Sequence, residues 1–270
     1  MASNQEWVED SWLKNIAHHF DWKITKSMSD SHMKRLAGFI SPKKTTHDLV
    51  RIGASCDGGY LVPDDLHGID GCFSPGVATT ATFEEDMLAR GVPCFLADAS
   101  VNDPPIKHEN LTFDPLFLGP ETKQNFISLD DWVEKYAPNG RDLVLQMDIE
   151  GAEYDVLEAA SDDVLSRFRI ILIEFHGFHH SLRARSHQRL SHVFEKLNKQ
   201  FIPVHSHPNN VRPRVRYLDY IVPRIFEVSF IRRDRIENAP QAIESLPHVL
   251  DVASVPSNPD PALPQWMWAQ

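Results

Sequence analysis

The chain has 270 residues, 42% hydrophobic and 24% charged, a globular composition that excludes a disordered or fibrous chain. Its 27 Lys and Arg against 38 Asp and Glu leave a formal charge of −11, which argues against bulk affinity for nucleic acid, whose backbone needs clustered cations. Three scattered cysteines, Cys56, Cys72 and Cys94, form no Cys-x-x-Cys pair; they exclude a disulfide framework and fit a reducing, cytoplasmic compartment.

The opening MASNQEWVEDSW has no basic stretch leading into an apolar run, so no signal peptide is expected. No segment approaches the ~20 apolar residues of a membrane span. Trp7, Trp12, Leu13 and Ile16, then Met33, Leu36 and Ile40, recur at helical spacing. They predict an N-terminal helical cap over 1–48, closing in the polar linker SPKKTTHD. RIGASCDGGYLVPDD reads as a hairpin about a Gly-Gly turn. GCFSPGV is a strand, 78–91 a helix stopped at Gly91, and 92–100 a strand closing at Asp98. Strand–turn–helix–strand is the unit of a parallel sheet. The pattern continues through a short apolar piece at 111–113 and a helix at 128–137 capped by Ser128 or Asp130. A strand at 142–150 precedes another helix, and FRIILIEF (168–175) reads as a central strand buried on both faces. An amphipathic helix at 186–200 leads to a strand at 201–207, and 217–222 with 224–233 reads as a terminal hairpin. The expectation is one α/β domain over 49–237, followed by a Pro-rich tail, 238–270, wrapped on its surface.

In open parallel sheets ligands bind beyond the carboxyl ends of the strands. Here those ends carry Ser74-Pro75-Gly76, Asp98, Asp148-x-Glu150, Glu174-x-His176 and His205-x-His207. A glycine after the first strand allows close approach of a ligand, and the following helix start adds N–H donors. Asp98 follows Gly76 by 22 positions, near the ~20-residue spacing at which an acidic residue meets a ribose hydroxyl. SPGVATTA is not a G-x-G-x-x-G fingerprint, so a nucleoside without pyrophosphate fits better than a dinucleotide. Asp98 as an ordinary loop carboxylate, and Glu150 as a helix cap, are the structural alternatives. Two carboxylates at a buried strand end are costly unless a cation, a donor or water meets them.

The segment LVLQMDIEGAEYDVL resembles the signature of FkbM-type S-adenosylmethionine-dependent methyltransferases, in which a strand ends in D-x-E-G-x-E. RIG…DGGYLV (51–62), FSPGV…FE (73–84), LADAS (96–100), SLDDWV (128–133), IILIEFHG (170–177) and HSHPNN (205–210) follow in that family's order. The resemblance implies a class I, Rossmann-like methyltransferase fold, α/β, with a seven-stranded mostly parallel sheet and a final antiparallel hairpin. It implies S-adenosylmethionine over Ser74, Pro75, Gly76 and Val77, with its ribose near Asp98, Ala99 and Ser100. Asp57, Gly58, Gly59 and Tyr60 would lie by the methionine end, and Glu84 and Asp148 would complete that pocket. It further implies a divalent ion, Mn²⁺ or Mg²⁺, on Asp148 and Glu174, with His207 as an outlying third ligand. The acceptor class it implies is a saccharide hydroxyl.

His176, His179, His180, His205 and His207 fall on segments expected to converge, whereas the other histidines read as ordinary surface or core residues. A neutral imidazole is a suitable base, and His176 is the first candidate, with His180 second and Asp148 beside them. Glu150, His205, Asn209 and Asn210 are candidate acceptor contacts, Asn209-Asn210 alternatively a turn. A glycan-binding scaffold on the same fold and a nicotinamide-dependent oxidoreductase are the competing classes. Trp7, Trp12, Trp266 and Trp268 are candidates for a homodimer contact or for covering the core.

Overall fold

The computed structural model describes residues 28–269. Trp7, Trp12, Leu13 and Ile16 lie outside them. The frame is a seven-stranded sheet. In chain order its strands are β1 (Gly71–Pro75), β2 (Cys94–Ala97), β3 (Leu111–Asp114), β4 (Leu143–Met147), β5 (Phe168–His176), β6 (Phe201–Pro208) and β7 (Ile225–Arg232). Their spatial order is β6-β7-β5-β4-β1-β2-β3, with β7 antiparallel to both neighbours and the rest parallel. This mixed α/β sheet is consistent with a Rossmann-like methyltransferase fold. Strand order reverses between β1 and β4, and a crevice opens there beyond the carboxyl ends.

β4 and β5 are buried along nearly their whole length, as their mostly apolar sequences require. Among the described residues, six α-helices flank the sheet: α1 (Asp30–Ile40), α2 (Thr82–Ala89), α3 (Leu129–Tyr136), α4 (Glu153–Ala159), α5 (Asp162–Ser166) and α6 (Ala184–Gln200). Met33, Leu36 and Ile40 of α1 join Phe194 and Leu197 of α6, Trp132 of α3 and Phe175 of β5 in one core. The opposite face of the sheet packs Val144, Ile170 and Leu172 against α2 and the antiparallel hairpin Leu49–Gly53/Gly59–Pro63. Ser128 caps α3, its Oγ accepting the Asp131 N–H. α2 starts at Thr82, later than the 78–91 pattern predicts, because residues 77–81 turn along the crevice.

One expectation needs correction. The run 217–222 does not pair with 224–233; Tyr220–Val222 pairs with Val215–Tyr217 in a separate small hairpin. β7 instead slots between β5 and β6, where its apolar residues are buried from both sides. Trp266 and Trp268 are half-buried against the core, their indole N–H groups donating to the Ile221 and Leu263 carbonyls. Among the described residues, no helix is long and apolar enough to cross a membrane.

The tail from 238 is extended and closely held. Leu263 and Met267 enter the core. Asn210 is its main clamp: Nδ2 donates to the Val255 carbonyl (2.9 Å) and Oδ1 accepts the Val255 N–H (2.8 Å). Asn210 is therefore spent on the tail and not on a sugar. We predict that Asn210→Ala costs about 1–3 kcal/mol in urea denaturation, since it strands buried backbone partners; a wild-type midpoint would contradict this clamp.

Candidate active site

The crevice begins at Gly76. Its φ is +87°, and a Cβ there would stand 1.6 Å from the Asp148 carbonyl oxygen. Gly76 thus lets the turn after β1 touch the turn after β4, a role beyond the ligand approach inferred from the sequence. The next turn residue, Ala78, also has positive φ (42°), and its N–H donates to Asp98 Oδ2 at 2.8 Å. The other Asp98 oxygen accepts the Ser100 N–H at 2.8 Å. Asp98 is buried and aligned by these two donors, and each carboxylate oxygen keeps a further lone pair.

A cavity of about 480 Å³ fills this region, a volume within the usual range for small-molecule sites. Asp57, Gly58, Tyr60, Gly76, Val77 and Glu84 line it, as do Asp98, Ser100 and Asp148. Gly59, Ser74, Pro75 and Ala99 do not. Gly59 is needed by its own hairpin, since a Cβ would meet the Ala54 carbonyl at 1.9 Å. Ser74 lies beneath the floor, its hydroxyl bridging the Glu84 carboxyl and Gln146 Oε1. Gln146 Nε2 donates onward to the Tyr60 hydroxyl at 3.1 Å. Burial pushes the Glu84 carboxyl above its ordinary range, and the Ser74 hydrogen bond opposes that rise.

Sequence reasoning missed the apolar end of the cavity. Phe117, Leu118, Phe126 and Ile149 form it. Phe117 and Phe126 sit on a small sheet, Phe117–Gly119 with Phe126–Ser128, with ring centroids 5.6 Å apart. The aromatic signal was present at 117 and 126, but three-residue strands are too short for periodicity to direct them.

A second cavity of about 190 Å³ adjoins the first, and Asp57, Asp148 and Glu150 line both. Its remaining ionisable walls are Glu174, His176 and Arg212. β5 alternates faces, so Glu174 and His176 emerge on the same side at its end. Asp148 follows β4, next to β5 in the sheet. Their ligand atoms, one from each residue, lie within 4.8 Å of one another. His176 Nε2 is 3.9 Å from Asp148, 3.5 Å from Glu174 and 3.4 Å from the exposed Glu150. Asn209 Nδ2 donates to Glu174 at 3.2 Å.

Glu153 orients the imidazole. Its fully buried carboxylate accepts from His176 Nδ1 at 2.9 Å and from the Gly151 N–H at 3.0 Å. The residue is the last acid of D-x-E-G-x-E, so its position was visible in the motif although its role was not. Burial draws the His176 pKa down, but the Glu153 hydrogen bond and the surrounding carboxylates prevail and raise it to about 9. This corrects the expectation of a neutral imidazole: without a cation His176 holds its proton at neutral pH. Burial raises Asp148 to about 7 against the pull of His176, with the nearby acids adding to the rise. Glu174 is driven well up by burial and then by Asp148 and Glu227.

The other candidate histidines lie apart from this cluster. His180 lines neither cavity; it stacks on His179, with ring centroids 4.1 Å apart. His205 Nε2 lies 2.8 Å from Asp251 and His207 Nε2 3.1 Å from Asp260, both acids of the tail. β7 stands between β6 and β5, so these side chains meet the tail and not the carboxylate pair.

Residues 96–201 match the family model described as the methyltransferase FkbM domain. Over those residues the chain is similar to the FkbM methyltransferase domain. The matched stretch runs from β2 to the first residue of β6, so the FkbM match takes in Asp98, Asp148, Glu153, Glu174 and His176. It leaves Asp57, Gly76, Asn209 and Arg212 outside. No curated protein matches the sequence.

The charge crowding has a measurable consequence. Asp148 titrates higher folded than unfolded, so its contribution is complete below the ordinary carboxylate pKa and is lost as pH rises through about 7. His176 loses its contribution at higher pH, through about 9. In chelator-treated protein at pH 8, Asp148→Asn is expected to raise thermal stability, by about 1–3 kcal/mol after solvent screening. A lower melting temperature than wild type, with the pH slope retained, would contradict this electrostatic account.

Proposed function

We propose that the protein is an S-adenosylmethionine-dependent O-methyltransferase acting on a saccharide hydroxyl with the help of a divalent cation, its catalytic unit spanning 49–237. The observation that carries this reading is the wall shared by the two cavities. Asp57, Asp148 and Glu150 face both the larger, nucleoside-sized space and the smaller one at the carboxylate–imidazole cluster. A donor in one and an acceptor in the other would meet at that wall, the geometry that direct group transfer needs.

The larger cavity matches the donor chemically. Asp98 offers lone pairs to ribose hydroxyls, Phe117 and Phe126 offer an apolar surface to a flat base, and Asp57, Glu84 and Tyr60 add polar groups to the same lining. The carboxylates suit a cationic sulfonium, and the absence of a glycine-rich phosphate cradle suits a nucleoside without phosphates.

Asp148, Glu174 and His176 fit a divalent cation. Asp148 Oδ1 is buried without a hydrogen-bond partner among the described residues, and the carboxyl pKa values are raised by burial first and by neighbouring acids second, a cost that a cation would relieve. Two oxygens and an imidazole suit Mn²⁺ or Mg²⁺. A bound cation would lower the pKa of an acceptor hydroxyl and fix its position. Glu153 then serves to orient the His176 ring, as second ring nitrogens of metal-ligating histidines are commonly held. With the cation bound Asp148 would be held ionised as a ligand, and the polarised acceptor hydroxyl would lose its proton to a carboxylate outside the ligand set, such as the exposed Glu150 on the same cavity wall. His176 serves as ligand or as a fixed positive charge.

Titration calorimetry should show S-adenosylhomocysteine binding, weakened about tenfold (~1.4 kcal/mol) by Asp98→Ala; unchanged affinity would remove the ribose assignment. Release of S-adenosylhomocysteine from S-adenosylmethionine with a sugar panel, suppressed by chelator and restored by Mn²⁺, is the expected turnover signature. Glycan binding without any release would instead favour the scaffold reading.

A further inference from the structure

The loop after β6 reads NNVRPRVR (209–216), three arginines and no acid in a chain of net charge −11. Arg212 lines the smaller cavity together with Asp57, Asp148, Glu150 and Glu174. Its guanidinium makes no hydrogen bond or ion pair among the described residues, although four carboxylates share that space. Its neighbours on both sides are pinned. The Val211 N–H donates to Asn209 Oδ1 at 2.8 Å, and the Pro213 carbonyl accepts from Arg224 Nε at 3.1 Å. Arg214 is tied to the tail through the Ala262 carbonyl. The backbone that carries Arg212 is thus fixed from three directions while its head group is left unpaired.

The surroundings extend the positive charge. Arg224 also contacts His179 Nε2 at 3.1 Å. Burial first, then His180, Arg224 and Arg183, drive the His179 pKa down to about 4, so the ring stays neutral beside those arginines. The cavity therefore carries both signs of charge, four carboxylates and the Arg212 guanidinium among its lining residues. A neutral acceptor would leave Arg212 unanswered. An acceptor with an anionic group would place that group on the guanidinium fork and its hydroxyl toward Asp148.

We infer that the acceptor is an anionic saccharide, one carrying a carboxylate, sulfate or phosphate, and that Arg212 is the residue that selects it. This rests on the methyltransferase reading above and names its substrate class. A nucleic acid is disfavoured by the overall acidity and by the single unpaired arginine at the cavity.

The test is a glycan array probed with the full-length protein, S-adenosylhomocysteine and Mn²⁺ present. Its arms are uronate-bearing, sulfated, phosphorylated and neutral saccharides, with an RNA oligonucleotide as competitor. Expected is a preference for one anionic arm, reduced about tenfold in Arg212→Gln, the share of one charge-assisted hydrogen bond, and weakened by added salt. Arg212→Lys should recover part of the preference but not the bidentate component. Calorimetry with S-adenosylhomocysteine checks that each variant is folded and keeps its cofactor site. Wild-type protein that binds S-adenosylhomocysteine but favours neutral glycans, binds no glycan, or is displaced from them all by RNA would overturn the inference and leave the cofactor reading standing. Failure to bind S-adenosylhomocysteine would overturn both.

Discussion

Acidic side chains crowd the rim where β4 and β5 end, and a single imidazole stands among them. Asp148, Glu150, Glu153 and Glu174 all lie within 4 Å of His176. Buried carboxylates so close must share protons or a cation, because the penalty of desolvating several like charges exceeds what one imidazolium returns. The rest of the site is arranged around that constraint. Glu153 locks the ring from below, Asn209 donates to Glu174 from the loop after β6, and Gly76 has no side chain so that the Asp148 turn can close.

The fold makes this crowding inexpensive elsewhere. β4 and β5 are buried along nearly their whole length, so their side chains spend apolar area on stability and leave only the strand ends for polar groups. The reversal of strand order between β1 and β4 keeps those ends from being covered by a crossover helix. The tail completes the enclosure. Ser254 and Val255 wall the smaller cavity, Asp57 donates its N–H to the Ser254 carbonyl, and Asn210 holds the segment in place. A surface wrap by composition is, in three dimensions, part of the pocket.

Much of this was legible in the residues. The apolar runs of β4 and β5, the Ser128 cap, the Gly91 stop and the clustering of ionisable groups at strand ends follow from periodicity and residue chemistry. The pairing of β7 was not legible from 217–233, because local alternation cannot reveal an insertion between β5 and β6. His205 and His207 looked like site residues because they close a strand, yet their partners Asp251 and Asp260 come from a tail more than forty residues away. The protonation state of His176 escaped for the same reason. It is set by Glu153, whose reach to the ring depends on how α4 follows β4. Phe117 and Phe126 open strands of only three residues each, too short for an alternating pattern to show which way they face.

The central claim is spatial: nucleoside and cation occupy adjoining parts of one crevice and share Asp148. A crystal structure with S-adenosylhomocysteine and Mn²⁺, using anomalous scattering to locate the metal, tests it most directly. The account predicts ribose at Asp98, the base toward Phe117 and Phe126, and a manganese peak on Asp148, Glu174 and His176. Nucleoside bound away from the Gly76–Asp98 turn, or manganese on the tail acids Asp251 and Asp260 instead, would contradict it.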